Sequence, residues 1–187
     1  MATPSGISRR IQQCIERLHV DDFEGALVNL FPAIDKTGKK RRPKAGVAER
    51  IKGFLHDEEV LITAVGTGNI FQNFSVDGIS FHDALYKFGR TAISHEGELD
   101  SRLAFNRNGG IQIGRDQWNL PGSYIVGMSL AVIIAPENQG ERTAEGLGIT
   151  IFNQRFSLNE IWGKPSAVRL HICQIFRDPN LFSERST

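Results

Sequence analysis

The stretch "SYIVGMSLAVIIAP" (residues 123–136) constrains the fold more than any other part of this chain. It is apolar almost throughout, so the rest of the chain has to cover it. It is also too short and too interrupted to span a bilayer, which takes about 20 consecutive apolar residues. A buried helix ending before Pro136 is therefore expected, and no membrane partner. At 187 residues there is enough chain to build one domain around such a helix. Forty per cent hydrophobic and 23% charged residues is globular composition, which excludes a disordered chain.

Elsewhere the periodicity divides the chain. Ile7, Ile11, Cys14, Ile15 and Leu18 recur at 3–4 spacing and predict a helix over 8–19 with Ser8 as N-cap. Asp21 and Glu24 have capping-box spacing before the stripe Phe23, Ala26, Leu27, Leu30, Phe31, Ile34, in which Pro32 should kink or end the helix. Val47, Ile51, Phe54 and Leu55 mark a third helix, and "DEEVLITAV" (57–65) a fourth capped by Asp57. Residues 66–78 read as a loop. A further helix starts near Asp77 or Ser80, buries Phe81, Leu85, Phe88 and Ala92, and ends at Gly97. Beyond residue 100 the pattern changes. Asn-Gly-Gly between two alternating runs in 102–113 predicts a β-hairpin, "LGITIFNQRFSL" a strand and turn, and the alternation Val168, Leu170, Ile172 a strand over 166–175. The expected fold is mainly α: a helical bundle in the N-terminal half (1–100) with a β-hairpin and mixed α/β additions in the C-terminal half (101–187), α+β overall. Residues 1–187 form a single domain in this reading.

Little of the sequence points to chemistry. Cys14 and Cys173 offer neither a disulfide framework nor zinc spacing, and no two of the five histidines stand at i, i+4. No metal and no cofactor are expected. The N-terminus has no apolar segment behind its positive charges, so a cytoplasmic protein without a secretory signal is expected. The net charge of +1 conceals an asymmetry. "KTGKKRRPK" (36–44) holds six basic residues and no acid, and without them the chain carries 16 basic against 21 acidic residues, a net of −5. Such a connector is either a solvated loop or a phosphate-binding patch for nucleic acid, in which Lys39, Lys40, Arg41, Arg42 and Lys44 contact the substrate.

The remaining candidates are Arg90 and His95 in "LYKFGRTAISHEGELD" (85–100). A proton-exchanging imidazole near a permanent cation suits phosphodiester chemistry. Five α-helical steps separate the two by about 140°, so both reach one phosphate only if two copies of the chain meet on a twofold axis.

"LYKFGRTAISHEG" resembles the signature helix of HEPN-domain proteins (higher eukaryotes and prokaryotes nucleotide-binding): an arginine, four to six residues, then a histidine. Phe88, Arg90, His95, Glu96 and Gly97 carry the likeness. The resemblance implies a helical bundle acting as a homodimer, either a metal-independent endoribonuclease or an RNA-binding protein, in toxin–antitoxin or anti-phage defence with an antitoxin-like protein partner. His95 would exchange protons with the 2′-hydroxyl or the leaving oxygen, and Arg90 would stabilise phosphate charge. Many active members place asparagine or aspartate after the arginine; Thr91 stands there in this chain and keeps a hydroxyl for hydrogen bonding. The alternative is a noncatalytic protein-interaction module, with Arg90 paired to Glu96 or Asp100 and His95 capping its own helix.

Overall fold

A computed structural model describes residues 5–107 and 109–183. Among them 56% are helical and 13% lie in strands, a mainly α chain with small sheets, α+β in class. Helix α1 (Gly6–Leu18) buries Ile7, Ile11, Cys14 and Ile15; its N-cap is Ser5, whose Oγ accepts from the Ile7 amide, while Ser8 is buried inside the first turn. Asp22, one residue past the expected start, caps α2 (Phe23–Arg41) by accepting from the Gly25 amide at 2.8 Å.

Helix α2 extends further than expected. It runs through Pro32, which withholds one hydrogen bond from the Val28 carbonyl without ending the helix. It then continues into the basic run, so that Lys36 to Arg41 are helical and only Arg42 to Lys44 belong to a connector. Gly38 does not break it; it is buried where a Cβ would lie 2.6 Å from the Arg50 carbonyl oxygen. Packing against α3 (Val47–Asp57) therefore holds this helix end together.

Helix α4 (Glu59–Thr67) follows after Glu58, with Asp57 the last residue of α3 rather than a cap. The buried helix appears as α7 (Ser123–Ile134), and Gly127 lets it approach α4, because a Cβ there would stand 2.8 Å from the Ile62 carbonyl oxygen. Between them, 66–78 is not all loop: β1 (Ser75–Val76) pairs antiparallel with β2 (Ile79–Ser80) around Asp77 and Gly78, both at positive φ. Ser80 then caps a continuous helical run made of α5 (Phe81–Ala84), a π-helical turn (Leu85–Thr91) and α6 (Ala92–Glu96), ended by Gly97 at φ 84°.

The C-terminal half differs most from expectation. Strands β3 (Leu103–Asn106) and β4 (Gln112–Gly114) do not form a hairpin with each other. Both pair with β5 (Gln117–Pro121), β3 parallel and β4 antiparallel, in the order β3-β5-β4. Asn108 lies outside the described residues. Strands β6 (Gly148–Ile151) and β7 (Gln154–Ser157) form a hairpin through Phe152 and Asn153, and α8 (Leu158–Ile161) follows. Residues 166–175 are helical, not extended, within α9 (Pro165–Phe176). Val168 and Ile172 are buried one turn apart while Leu170 is 61% exposed. One apolar core joins α1–α5, the π-helical turn, α7, α8 and α9.

Candidate functional site

The arginine of the motif sits on the π-helical turn. Its i→i+5 bonding accommodates one extra residue, and such bulges concentrate at functional sites. Two contacts hold the turn open. The Phe88 carbonyl accepts from the Asp100 amide at 3.0 Å, outside the helical ladder. Gly89 is pressed against the core, so that a Cβ would meet Phe31 at 2.7 Å and Leu103 at 3.2 Å.

Arg90 is half-buried and lines a cleft of about 170 Å3 with Val28, Phe31, Pro32 and Asp35 of α2, Ile51 of α3, and Ile93 and Ser94 of the motif helix. Its guanidinium lies 5.9 Å from the Tyr86 ring, a cation–π contact. Among the described residues it makes no ion pair and no hydrogen bond. The nearby acids are engaged elsewhere. Asp35 accepts from Arg50 Nε at 2.8 Å, and Asp100 takes two bonds from Arg102 at 2.6 and 2.8 Å, which hold its carboxyl near 2. The pairing of Arg90 with Asp100 is not made.

His95 is exposed in the last turn of α6 and has no hydrogen bond, ion pair or ring contact among the described residues. It caps nothing; the helix ends through the Gly97 amide on the Ile93 carbonyl. It does not line the cleft that holds Arg90. Thr91 is half-buried in the π-helical turn. One chain thus presents Arg90 and His95 on one helix without bringing them to one pocket.

The basic residues separate into two groups. Arg41 is spent on internal acids, reaching Glu137 at 2.7 Å, Asp57 at 2.9 Å and Glu58 at 2.9 Å. Arg42 bonds Asp57 at 2.7 Å, and Lys40 donates to the Glu137 carbonyl and Asn138. Lys39 and Lys44 are exposed, and Lys36, Lys39 and Lys40 line one shallow cleft near the start of α1. An anion approaching this side therefore meets Lys36, Lys39 and Lys44, because the two arginines and Lys40, 3.5 Å from Glu141, are already matched by acids.

A second ionisable cluster had no signal in the sequence. His56 in the last turn of α3 and His82 in α5 have ring centroids 5.3 Å apart, edge to face. Lys52 and Asp83 pair beside them at 3.1 Å. No spacing rule joins residues on two separate helices. Among the described residues no group of three or more His, Cys, Asp or Glu is placed to hold a metal ion, and no helix is long and apolar enough to cross a membrane.

Comparison with known proteins adds a family. The sequence model of the family described as Rv1289 matches residues 6–179. Three relatives, Uncharacterized protein Rv1289 and Uncharacterized protein MT1327 of Mycobacterium tuberculosis and Uncharacterized protein Mb1320 of Mycobacterium bovis, are each 25% identical over 174 residues. The alignment covers 84% of this chain and 81% of each relative. No solved structure matches.

Proposed function

Starting from a chain that belongs to the Rv1289 family, we propose a HEPN-like protein that binds single-stranded RNA and cleaves it without metal, in the cytoplasm, in a toxin–antitoxin or anti-phage setting. One observation carries the reading: Arg90, on a π-helical turn lining a cleft, makes no ion pair among the described residues, the acid in that cleft, Asp35, being bound to Arg50. An arginine left unpaired among carboxylates is available for a ligand anion, and a phosphodiester suits its fork of donors. In the reaction the 2′-oxygen attacks phosphorus as the 5′-oxygen leaves, giving a 2′,3′-cyclic phosphate. His95 accepts the 2′-hydroxyl proton or returns one to the leaving oxygen, and Arg90 bears on the developing phosphorane charge. Because His95 does not line the Arg90 cleft, the working site takes one residue from each of two chains, and Lys39 and Lys44 steer the backbone toward it.

The test is cleavage of labelled single-stranded RNA in EDTA. Arg90→Ala and His95→Ala should each lower the rate by about 100-fold or more. Both should leave the unfolding free energy within about 0.5 kcal/mol of wild type, since neither side chain is in the core. Wild-type protein that cleaves no RNA, or variants that cleave as well as wild type, would refute the reading.

A second reading, a protein-interaction module, has its own observation. An apolar cleft of about 560 Å3 runs along α9 past Leu170, Cys173, Pro179 and Phe182. On that reading Leu170→Glu abolishes partner binding and leaves RNA behaviour unchanged.

A further inference from the structure

The His56–His82 pair stands where the motif helix meets α3, and its packing favours one protonation state. His82 Nδ1 is buried and has no hydrogen-bond partner among the described residues. In a neutral ring that nitrogen can be the bare acceptor, a modest loss. In a protonated ring it becomes a charged N–H donor with nothing to receive it, which costs considerably more. The other nitrogen gains little from protonation. Nε2 lies 4.0 Å from Asp83 Oδ2, beyond hydrogen-bond reach. That carboxylate is turned toward the Ser80 hydroxyl at 2.6 Å and the Lys52 ammonium at 3.1 Å.

The charged groups facing His82 come from each helix around it. From α3 there are His56 and Lys52, from its own helix Asp83, and from α4 the buried Glu59, whose carboxylate is already taken by the Asn73 and Phe74 amides. A proton on His82 would set an imidazolium 5.3 Å from the His56 ring, with the Lys52 ammonium on the neighbouring Asp83.

We propose that His82, packed edge to face on His56, is a proton-operated latch, which holds the first turn of the motif helix on α3 while the His82 ring is neutral and releases it when that ring is protonated. Burial first, then His56 and Lys52, push His82 below the usual histidine range against the opposing pull of Asp83 and Glu59. The sign follows. Below about pH 6.5 the released ring binds a proton that the latched ring does not, so the latched state loses stability as pH falls. This latch rests on the α3–α5 contact and not on any reaction with RNA. It would loosen the segment that carries Arg90.

Hydrogen exchange of the full chain at about pH 5.5 and 7.5, corrected for intrinsic rates, tests it. Relative to α7, residues 80–91 should lose roughly fivefold or more protection at the lower pH, and His82→Asn should remove that difference. Equal relative protection at both pH values, or the same loss in His82→Asn, overturns the latch. Should His82→Asn not fold, His56→Gln gives an independent readout, because His56 is exposed. The NMR titration midpoint of His82 should then rise by roughly 0.3 or more as the neighbouring charge is removed. An unmoved midpoint counts against the proposal.

Discussion

Cys14 and Cys173 are both free thiols, yet their surroundings give them different chemistry. Cys14 is fully buried on the core face of α1, where burial pushes its thiol up to about 12 against a weak opposing bond to the Ser129 hydroxyl. Only the thiolate reacts, so at pH 8 roughly one Cys14 in ten thousand is competent even before access is considered. A thiol reagent should therefore label one cysteine per folded chain, at Cys173, and two only after denaturation. Mass spectrometry of the modified peptides checks this. Arg90 is distinctive at the same scale for what it lacks. Its identity and spacing could be read in the sequence, whereas the pairing of Asp35 with Arg50 and of Asp100 with Arg102 is set by the fold.

Two helical glycines do work at the scale of elements that their composition does not suggest. Gly89 sits inside the π-helical turn against Phe31 and Leu103, and Gly38 against the backbone of Arg50. Glycine in a helix is ordinarily worth less than alanine by about 1 kcal/mol. Here the added methyl would have to displace a packed ring or a carbonyl, and overpacking of that kind costs about 1–3 kcal/mol. Gly38→Ala and Gly89→Ala should both lower the urea midpoint despite the propensity gain. Gly89→Ala should in addition disturb the α2 cleft, seen as altered protection of residues 85–94. Stabilisation by either substitution would show that the helix yields at that contact. The element that misled the reading, α9, did so because Val168 and Ile172 are spaced i, i+4. That pair fits a helix turn and a strand alternation equally well, and only the exposure of Leu170 separates them.

Across the whole molecule, the Arg41 knot ties three distant segments together: the end of α2, the α3–α4 junction and the turn after α7. Burial pushes the Asp57 carboxyl up, but Arg42 and Arg41 outweigh it and leave it below the usual range; Arg41 does the same for Glu137. A carboxylate with a depressed folded pKa contributes stability above its unfolded value, near 4, and loses it as pH falls through the folded one. Acid unfolding should therefore steepen below about pH 4. Arg41→Leu should flatten that limb and cost about 2–3 kcal/mol at pH 7, since it leaves the buried Glu58 with Arg169 alone, at 3.2 Å, and Asp57 and Glu137 each one ion pair poorer. Urea unfolding at several pH values measures both effects. An unchanged acid limb in Arg41→Leu would mean the knot is neutral in energy.

The sequence by itself determined the helical class, most helix positions in the first half, the buried α7 and the Gly97 stop. Each depends on local causes: 3.6-residue apolar spacing, caps, and one residue able to take a left-handed conformation. It also singled out Arg90 and His95 as residue types. What only the tertiary structure decided involves partners far along the chain. Local turn chemistry suggested a β3–β4 hairpin, yet the inserted β5 won, because a central strand satisfies two ladders where a hairpin satisfies one. The basic run became helix because α3 packs on Gly38, and three of its six charges, on Lys40, Arg41 and Arg42, are met by acids from other elements. The meeting of His56 with His82 follows from the packing of two helices, which no spacing in one segment encodes.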